Sequence, residues 1–340
     1  MREAGGLAMP GSTRAIRGPA ALGALAVLLA GAVPATAQYR IIEIARGAVP
    51  AAINASGQVV GSLEAGGSVH CFFWDGALHD LGTVGPGDCH AAGLSDGGLL
   101  VGTRTDPASE SWQAFVCDVP AGRCFDVPPP RGWSTVGLGI NIRGQVVGGA
   151  WDPSGRQRPF LFDGRGTRLL GDDGFEGVAR AINTAGVIVG EARTGPTGET
   201  LPFRWEAGAI TSLGSAGGRS GEARAISDGD VVAGTSTHRD ERPVAFRHLG
   251  AREGLDLLVD APASHGTAVN TLGTVVGDFE AGAGRHALVA DGRTAHDLND
   301  LLPASSGWVL QSAVGINDAG AIVGYGTHDG APAAFLLAPR

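Results

Sequence analysis

The stretch Ala52-Ile53-Asn54-Ala55-Ser56-Gly57-Gln58-Val59-Val60-Gly61 decides the fold, because it returns six more times along the 340-residue chain. Counted from its Asn, the copies stand at Asn54, Ser95, Asn141, Asn183, Ser227, Asn270 and Asn317, at steps of 41, 46, 42, 44, 43 and 47 residues. A period of this size belongs to one supersecondary unit repeated along the chain. Each copy opens with a small residue, an aliphatic residue and a polar turn residue, as in Ala52-Ile53-Asn54, Gly139-Ile140-Asn141 and Ala225-Ile226-Ser227. The small residue implies strands crowded near a central axis. The Asn or Ser starts a hairpin whose left-handed position falls to Gly57, Gly98, Gly144, Gly186, Gly273 or Gly320. In the fifth copy Asp230 takes that place, and Asp tolerates the left-handed region better than most residues.

The run that follows, Val59-Val60-Gly61 with its echoes Val146-Val147-Gly148, Ile188-Val189-Gly190, Val275-Val276-Gly277 and Ile322-Val323-Gly324, is β-branched and continuous, which predicts a strand buried on both faces. About ten residues on comes an aromatic strand, as in His70-Cys71-Phe72-Phe73-Trp74 and Pro159-Phe160-Leu161-Phe162. Asp-Gly turns follow at Asp75-Gly76, Asp163-Gly164 and Asp291-Gly292, and a fourth short strand such as Ala77 to Gly82 closes the unit. Four strands in a meander of this length form a propeller blade, so the expectation is an all-β, seven-bladed β-propeller of four-stranded blades. The seventh copy stops at Phe335-Leu336-Leu337 without a fourth strand, while Tyr39 to Ile44 is a stray strand before the first copy. The N-terminal strand is therefore expected to complete the last blade and remove the free edges. A solenoid is the competing architecture, but it calls for shorter coils and polar caps.

These residues resemble a known repeat. The pattern of an Ile-Asn turn, Val-Val-Gly, a His-Ala-Phe-like strand and a Leu-Gly ending is similar to the bacterial extracellular HAF repeat, with His286-Ala287-Leu288 the nearest copy of the naming tripeptide. The resemblance covers essentially the whole chain after residue 37. Only two copies keep the His, and Ser replaces Asn at Ser95 and Ser227. What it implies is a location outside the cytoplasm; it brings no reaction with it.

Composition points the same way. Residues 1–37 carry Arg2, Arg14 and Arg17 ahead of an apolar run and Ala35-Thr36-Ala37, the plan of a cleaved secretory signal, with residues 38–340 forming a single repeat domain. A secreted or periplasmic protein without a stable membrane span is expected. Four cysteines suit that compartment: Cys117 and Cys124 bracket a Pro/Gly turn, and Cys71 would then pair with Cys89. Four cysteines allow three pairings, and four free thiols are a further possibility. The formal charge is −9, with 25 basic residues that are all Arg, and no basic cluster argues for nucleic acid or anionic lipid as a partner.

No residue set carries an obvious reaction. Gly93-Leu94-Ser95-Asp96-Gly97 matches a nucleophile elbow in letters, but Ser95 sits in a hairpin turn, whereas the elbow joins a strand to a helix. His70, His79 and His90 lie near one another in sequence without zinc-site spacing, and the oxygen-rich turns at Ser95-Asp96, Asp228 to Asp230, Asn299-Asp300 and Asn317-Asp318 lack the ligands of a calcium loop. Asn54-Ala55-Ser56 matches a glycosylation acceptor inside a tight turn. No metal, cofactor or catalytic residue is expected. The loop acids Asp88, Asp172, Asp173, Glu176 and Glu222 are the candidates for a glycan-active hydrolase or lyase, which needs two carboxylates about 5–10 Å apart. The segment from Asn299 to Leu310 extends the longest spacing, so Asp300, Ser306 and Trp308 form a possible ligand loop, with Trp308 alternatively plugging the closing blade. The composite expectation is a non-catalytic binding or surface-interaction module whose partner is an envelope glycan or protein, with a hydrolase and a structural envelope protein as alternatives.

Overall fold

The computed structural model describes residues 39–340 apart from 110, 195–197, 251–253, 283 and 293, so the expected signal at residues 1–37 lies outside the described residues. A first strand, β1 (Tyr39–Arg46), precedes the repeats. The first repeat folds as β2 (Val49–Ile53), β3 (Val59–Ala65), β4 (Ser68–Trp74) and β5 (Leu78–Gly82), and the second as β6 (Cys89–Leu94), β7 (Leu99–Asp106), β8 (Ser111–Asp118) and β9 (Arg123–Asp126). The third gives β10 (Ser134–Ile140), β11 (Val146–Trp151), β12 (Gln157–Phe162) and β13 (Thr167–Leu169). The fourth gives β14 (Gly177–Ile182), β15 (Ile188–Thr194), β16 (Glu199–Glu206) and β17 (Ala209–Ser212), and the fifth β18 (Gly217–Ile226), β19 (Val231–His238), β20 (Pro243–Leu249) and β21 (Asp256–Leu257). The sixth contributes β22 (Ser264–Val269), β23 (Val275–Ala281), β24 (Gly284–Asp291) and β25 (Thr294–Asp297) before a 3-10 turn at Leu298–Leu301. The seventh ends the chain with β26 (Trp308–Ile316), β27 (Ile322–His328) and β28 (Ala331–Pro339).

Every repeat is an antiparallel meander. The strands form six sheets, where seven separate blades were expected, because the long β18 touches β16 through one parallel pair, Thr200 with Ser220, and so merges the fourth and fifth repeats into an eight-stranded sheet. The missing fourth strand of the last repeat is supplied by β1, which runs antiparallel to β28 from Tyr39 opposite Pro339 to Arg46 opposite Ala333.

The Val-Val-Gly motif explains the packing. Val59 and Val60 are both fully buried, Val59 in a cluster with Val323 and Leu336 of the last repeat, Val60 in one with Leu100 and Phe115 of the second. Seven such clusters occur among the described residues, each bridging consecutive repeats, and one of them joins the last repeat to the first. The glycine after the valines sits under an aromatic ring. A Cβ on Gly148 would lie 1.8 Å from the Val136 carbonyl oxygen and 2.9 Å from the Phe160 ring, so only glycine lets the third-strand Phe cover the sheet there. Gly61 under Phe72 and Gly324 under Phe335 repeat the arrangement.

The first strand of each repeat carries a bulge at the residue three before the Asn or Ser. Pairing skips Ala51, Ala92, Leu138, Arg180, Arg224, Thr267 and Val314. A bulge leaves its extra residue out of the ladder and re-aims it. In five copies the Asn after the bulge links neighbours: Asn54, Asn141, Asn183, Asn270 and Asn317 each donate from Nδ2 to the turn carbonyl of the next repeat, the last reaching back to Asn54 at 3.1 Å. Asp96, Asp228 and Asp318 add a second link, accepting the N–H of Ala55, Thr184 and Thr271, each at 2.8 Å. The oxygen-rich turns at Asp96, Asp228 and Asp318 thus tie neighbouring repeats together. Both disulfides form, Cys71–Cys89 between the first and second repeats and Cys117–Cys124 across a hairpin, leaving no free cysteine.

Candidate functional site

In each meander the Asn turn and the turn between third and fourth strands lie at one end of the sheet. The turn between second and third strands lies at the other, with the connection to the next repeat. Of the clefts toward this connection end among the described residues, two are built from residues that break the repeat.

The first lies between the second and third repeats and has a volume of about 490 Å3, lined by His90, Thr103, Thr105, Trp112, Leu138 and Trp151 among others. Trp112 and Trp151 meet edge to face at 5.7 Å, and Trp112 is 47% exposed. Trp151 is seated by a glycine: a Cβ on Gly149 would come within 2.9 Å of the indole, and the same slot holds Ser62, Thr103, Glu191, Thr235, Asp278 or Tyr325 in the other copies. The Thr103 hydroxyl accepts the Gly137 N–H at 3.2 Å and that of Thr105 the Asp88 N–H at 2.9 Å, so each keeps its own proton to donate. Among the described lining residues none is an Asp, Glu, Lys or Arg. The cleft is a largely apolar trough with an aromatic wall and a few polar groups, the usual make-up of a small-molecule site.

The second gathers charge between the fourth and fifth repeats. The bulge residue Arg180 donates from Nε to Glu191 Oε2 at 2.6 Å and from Nη2 to Glu191 Oε1 at 2.9 Å, while the same Nη2 lies 2.9 Å from Glu222 Oε2. The next bulge residue, Arg224, reaches Glu222 Oε1 at 2.5 Å. Two carboxylate oxygens that share one nitrogen are close neighbours, each 2.9 Å from Arg180 Nη2, so the pair is the place to test for glycosidase geometry. Yet both carboxylates are already engaged by guanidinium groups, an arrangement that fixes charge and leaves no free proton donor. Burial pushes the Glu191 carboxyl above its ordinary range, against the pull of Arg180. Beside this cluster a cavity of about 250 Å3 is lined by Glu191, Thr200, Ser220, Gly221, Glu222, Thr235 and Thr237.

Of the residues singled out from the sequence, only Glu222 and His90 lie in these clefts. Asp88 accepts the Val69 N–H at 2.8 Å, Glu176 pairs with Arg193 at 3.3 Å, and Asp173 with the Asp172 carbonyl holds Arg158. His70 and His79 bind Asp80 and Asp75, each at 2.9 Å. Ser95 is buried, its hydroxyl accepting the Leu99 N–H at 3.1 Å, which closes its turn. Trp308 is 9% exposed, stacked on His328 at 4.6 Å and edge-on to Phe335 at 6.0 Å; Ser306 Oγ accepts its backbone N–H, and Asp300 is exposed in the 3-10 turn. Among the described residues no three His, Cys, Asp or Glu side chains converge as a metal site would require, and no helix is long and apolar enough to cross a membrane. Glu191, Arg180, Trp151 and Gly149 escape sequence reasoning. Their one signal is departure from what the other copies hold in the same slot.

No family model and no curated protein matches the chain. Solved structures do match. The β-propeller domain of the Trilobed protease from Pyrococcus furiosus, which has an open velcro topology, is similar at TM-score 0.59 and 11% identity, over 86% of this chain and 94% of that one. YCF48 bound to D1 peptide is similar at TM-score 0.53 and 12% identity, over 91% and 99%. A puromycin-hydrolyzing peptidase from Mycobacterium tuberculosis gives 0.56 and 14% over 90% of this chain and 52% of its own, so this chain spans about half of that enzyme. At such identities the likeness shows the fold alone: an all-β scaffold of propeller type.

Proposed function

We propose that the chain is an exported, non-catalytic binding module, a closed seven-bladed propeller of HAF-type repeats that holds envelope glycan in the Trp112–Trp151 cleft. The two disulfides fit an extracellular location. Five four-stranded sheets, two four-stranded halves of the eight-stranded one, and the Asn317-to-Asn54 hydrogen bond support the blade count and closure.

The indole pair, Trp112 exposed and Trp151 half-buried, is the observation that carries the function. A pyranose presents one face of C–H groups to an indole, burying apolar surface while its hydroxyls turn to polar neighbours. Here those neighbours are Thr103, Thr105 and His90. The described lining residues, which include no carboxylate or guanidinium group, support a neutral sugar over a charged peptide. A glycan array with a parallel hydrolysis screen tests the reading. Saturable binding of neutral oligosaccharides without turnover is expected, weakened at least tenfold by Trp112→Ala and by Gly149→Ser, with the melting temperature of Trp112→Ala unchanged. Turnover, lost in Glu191→Gln, assigns the chain instead to the glycan-active hydrolases. Absence of both binding and turnover removes the glycan and leaves a structural envelope role.

A further inference from the structure

The two disulfides stand in unlike places. Cys71 and Cys89 are both 0% exposed, enclosed with Val60, Leu100 and Phe115 where the first repeat meets the second. Cys117 is buried as well, at 3%, but its partner Cys124 is exposed, as are the three other residues of β9. That strand is the outermost of its sheet and, among the described residues, pairs with β8 alone.

The repeat itself does not call for this bridge. Cys117 stands opposite Leu100, at the place where the other six copies hold Trp74, Phe162, Trp205, His248, Ala290 and Leu337. None of those is a cysteine, yet the strand folds in every copy. The hairpin has other ties besides: Asp118 Oδ1 accepts the Ala121 N–H at 3.0 Å, the Gly122 N–H donates to the Val119 carbonyl at 3.2 Å, and Arg104 holds Asp126 through Nε and Nη2 at 3.2 and 3.0 Å. The bridge spans a separation of 7 residues, against 18 for Cys71–Cys89, and closing a shorter loop restricts the unfolded chain less.

A disulfide exchanges when a thiolate attacks one of its sulfurs, and access decides which sulfur is attacked. Here Cys124 offers that access and Cys117 does not. Attack at Cys124 forms an S–S bond to the incoming thiol and breaks the bond to Cys117, which leaves as a thiolate and takes the proton that the incoming thiol released. The incoming sulfur is oxidised and the Cys117 sulfur reduced, so the step balances without a further oxidant. With β8 and β9 still paired, Cys117 stays beside Cys124, where it attacks the mixed disulfide and expels the incoming thiol. A second thiol that attacks the incoming sulfur instead leaves both cysteines reduced.

We propose that Cys117–Cys124 is a thiol-exchange site, at which a low-molecular-weight thiol couples to Cys124 and Cys117 serves as the resolving cysteine. Cys71–Cys89 is the structural bridge that stays shut.

Reduced glutathione is the probe. The purified oxidised chain is exposed to it over a time course, new thiols are trapped with N-ethylmaleimide, and peptides are read by mass spectrometry while far-ultraviolet circular dichroism follows the fold. Cys117 and Cys124 are expected to become labelled about tenfold sooner than Cys71 and Cys89, or faster still, with the dichroism unchanged and the glutathione adduct on Cys124. Cys117→Ser, which removes the resolving sulfur, is expected to accumulate that adduct when mixed with oxidised glutathione. Cys124→Ser leaves Cys117 enclosed, so its thiol should be labelled about tenfold more slowly than Cys124 in Cys117→Ser, or slower still. The proposal is overturned if both bridges open at the same rate, if Cys71–Cys89 opens first, if the adduct sits on Cys117, or if labelling appears only as the dichroism is lost. The time course on the parent chain decides the matter even if a variant fails to fold.

Discussion

At the scale of single residues, the repeat ties itself together through one amide. Asn at the turn has an Nδ2 to reach the next repeat; Ser at the same place does not. The links from Ser95 to Asn141 and from Ser227 to Asn270 are accordingly missing, although Ser95 and Ser227 still close their own turns. Ser95→Asn is expected to restore a hydrogen bond to the Asn141 carbonyl and stabilise the fold by about 1 kcal/mol. That corresponds to a rise of roughly 2–4 °C in melting temperature. An unchanged or lower value refutes the account of the turn. These turn residues were legible in the sequence because each has one local task, and Asp230 does adopt the left-handed conformation expected of it, with φ of 59°. The residues of the clefts were not. Arg180, Glu191 and Glu222 meet only because a bulge turns one first-strand residue out of the ladder and the next repeat stands alongside. Neither event leaves a mark in a single copy.

Among the elements, β1 stands apart. It brings no repeat motif, yet it pairs with β28 from Ala333 to Pro339, burying Ile44 against Val323 and Leu336. Its Glu43 carboxylate accepts from His328, the ring that also stacks on Trp308, and that bond together with Arg46 lowers the Glu43 pKa. Deleting Tyr39 to Ile44 leaves β28 with an open edge and strips apolar cover from the last repeat. A loss of about 4 kcal/mol or more, read as a fall of roughly 10 °C in melting temperature, is expected. A fall of only a degree or two means that the strand is decorative. The pairing of a stray first strand with an incomplete last repeat followed from counting strands. The merging of the fourth and fifth repeats did not, since it rests on the extra length of β18 and one residue pair.

For the molecule as a whole, acid is the condition to which the fold should respond. Asp152 is held down to about 2, chiefly by the Ser154 hydroxyl, and Asp163 lies below its ordinary range through the N–H groups of Arg165 and Gly166. Asp75 and Asp80 are lowered by His79 and His70. A carboxylate with a depressed folded pKa stabilises the fold above its unfolded value and loses that contribution as pH falls through the folded one. Melting temperature should therefore decline from about pH 4 down to about pH 2. Glu191 works in the opposite sense, its small contribution fading as pH rises past the ordinary glutamate value. A flat profile between pH 5 and about pH 2 contradicts the network of capped carboxylates.

The pairing of β1 with β28 also sets a clock. Strand β1 waits for a partner made three hundred residues later, Tyr39 pairing with Pro339. Early repeats have neighbours to fold against as they appear, but the final sheet cannot assemble until Pro339 arrives. A chain cut short at any later repeat keeps an unpaired edge and an uncovered apolar face, the features that proteases and aggregation act on. Completeness of synthesis is thereby written into the fold as a condition of survival.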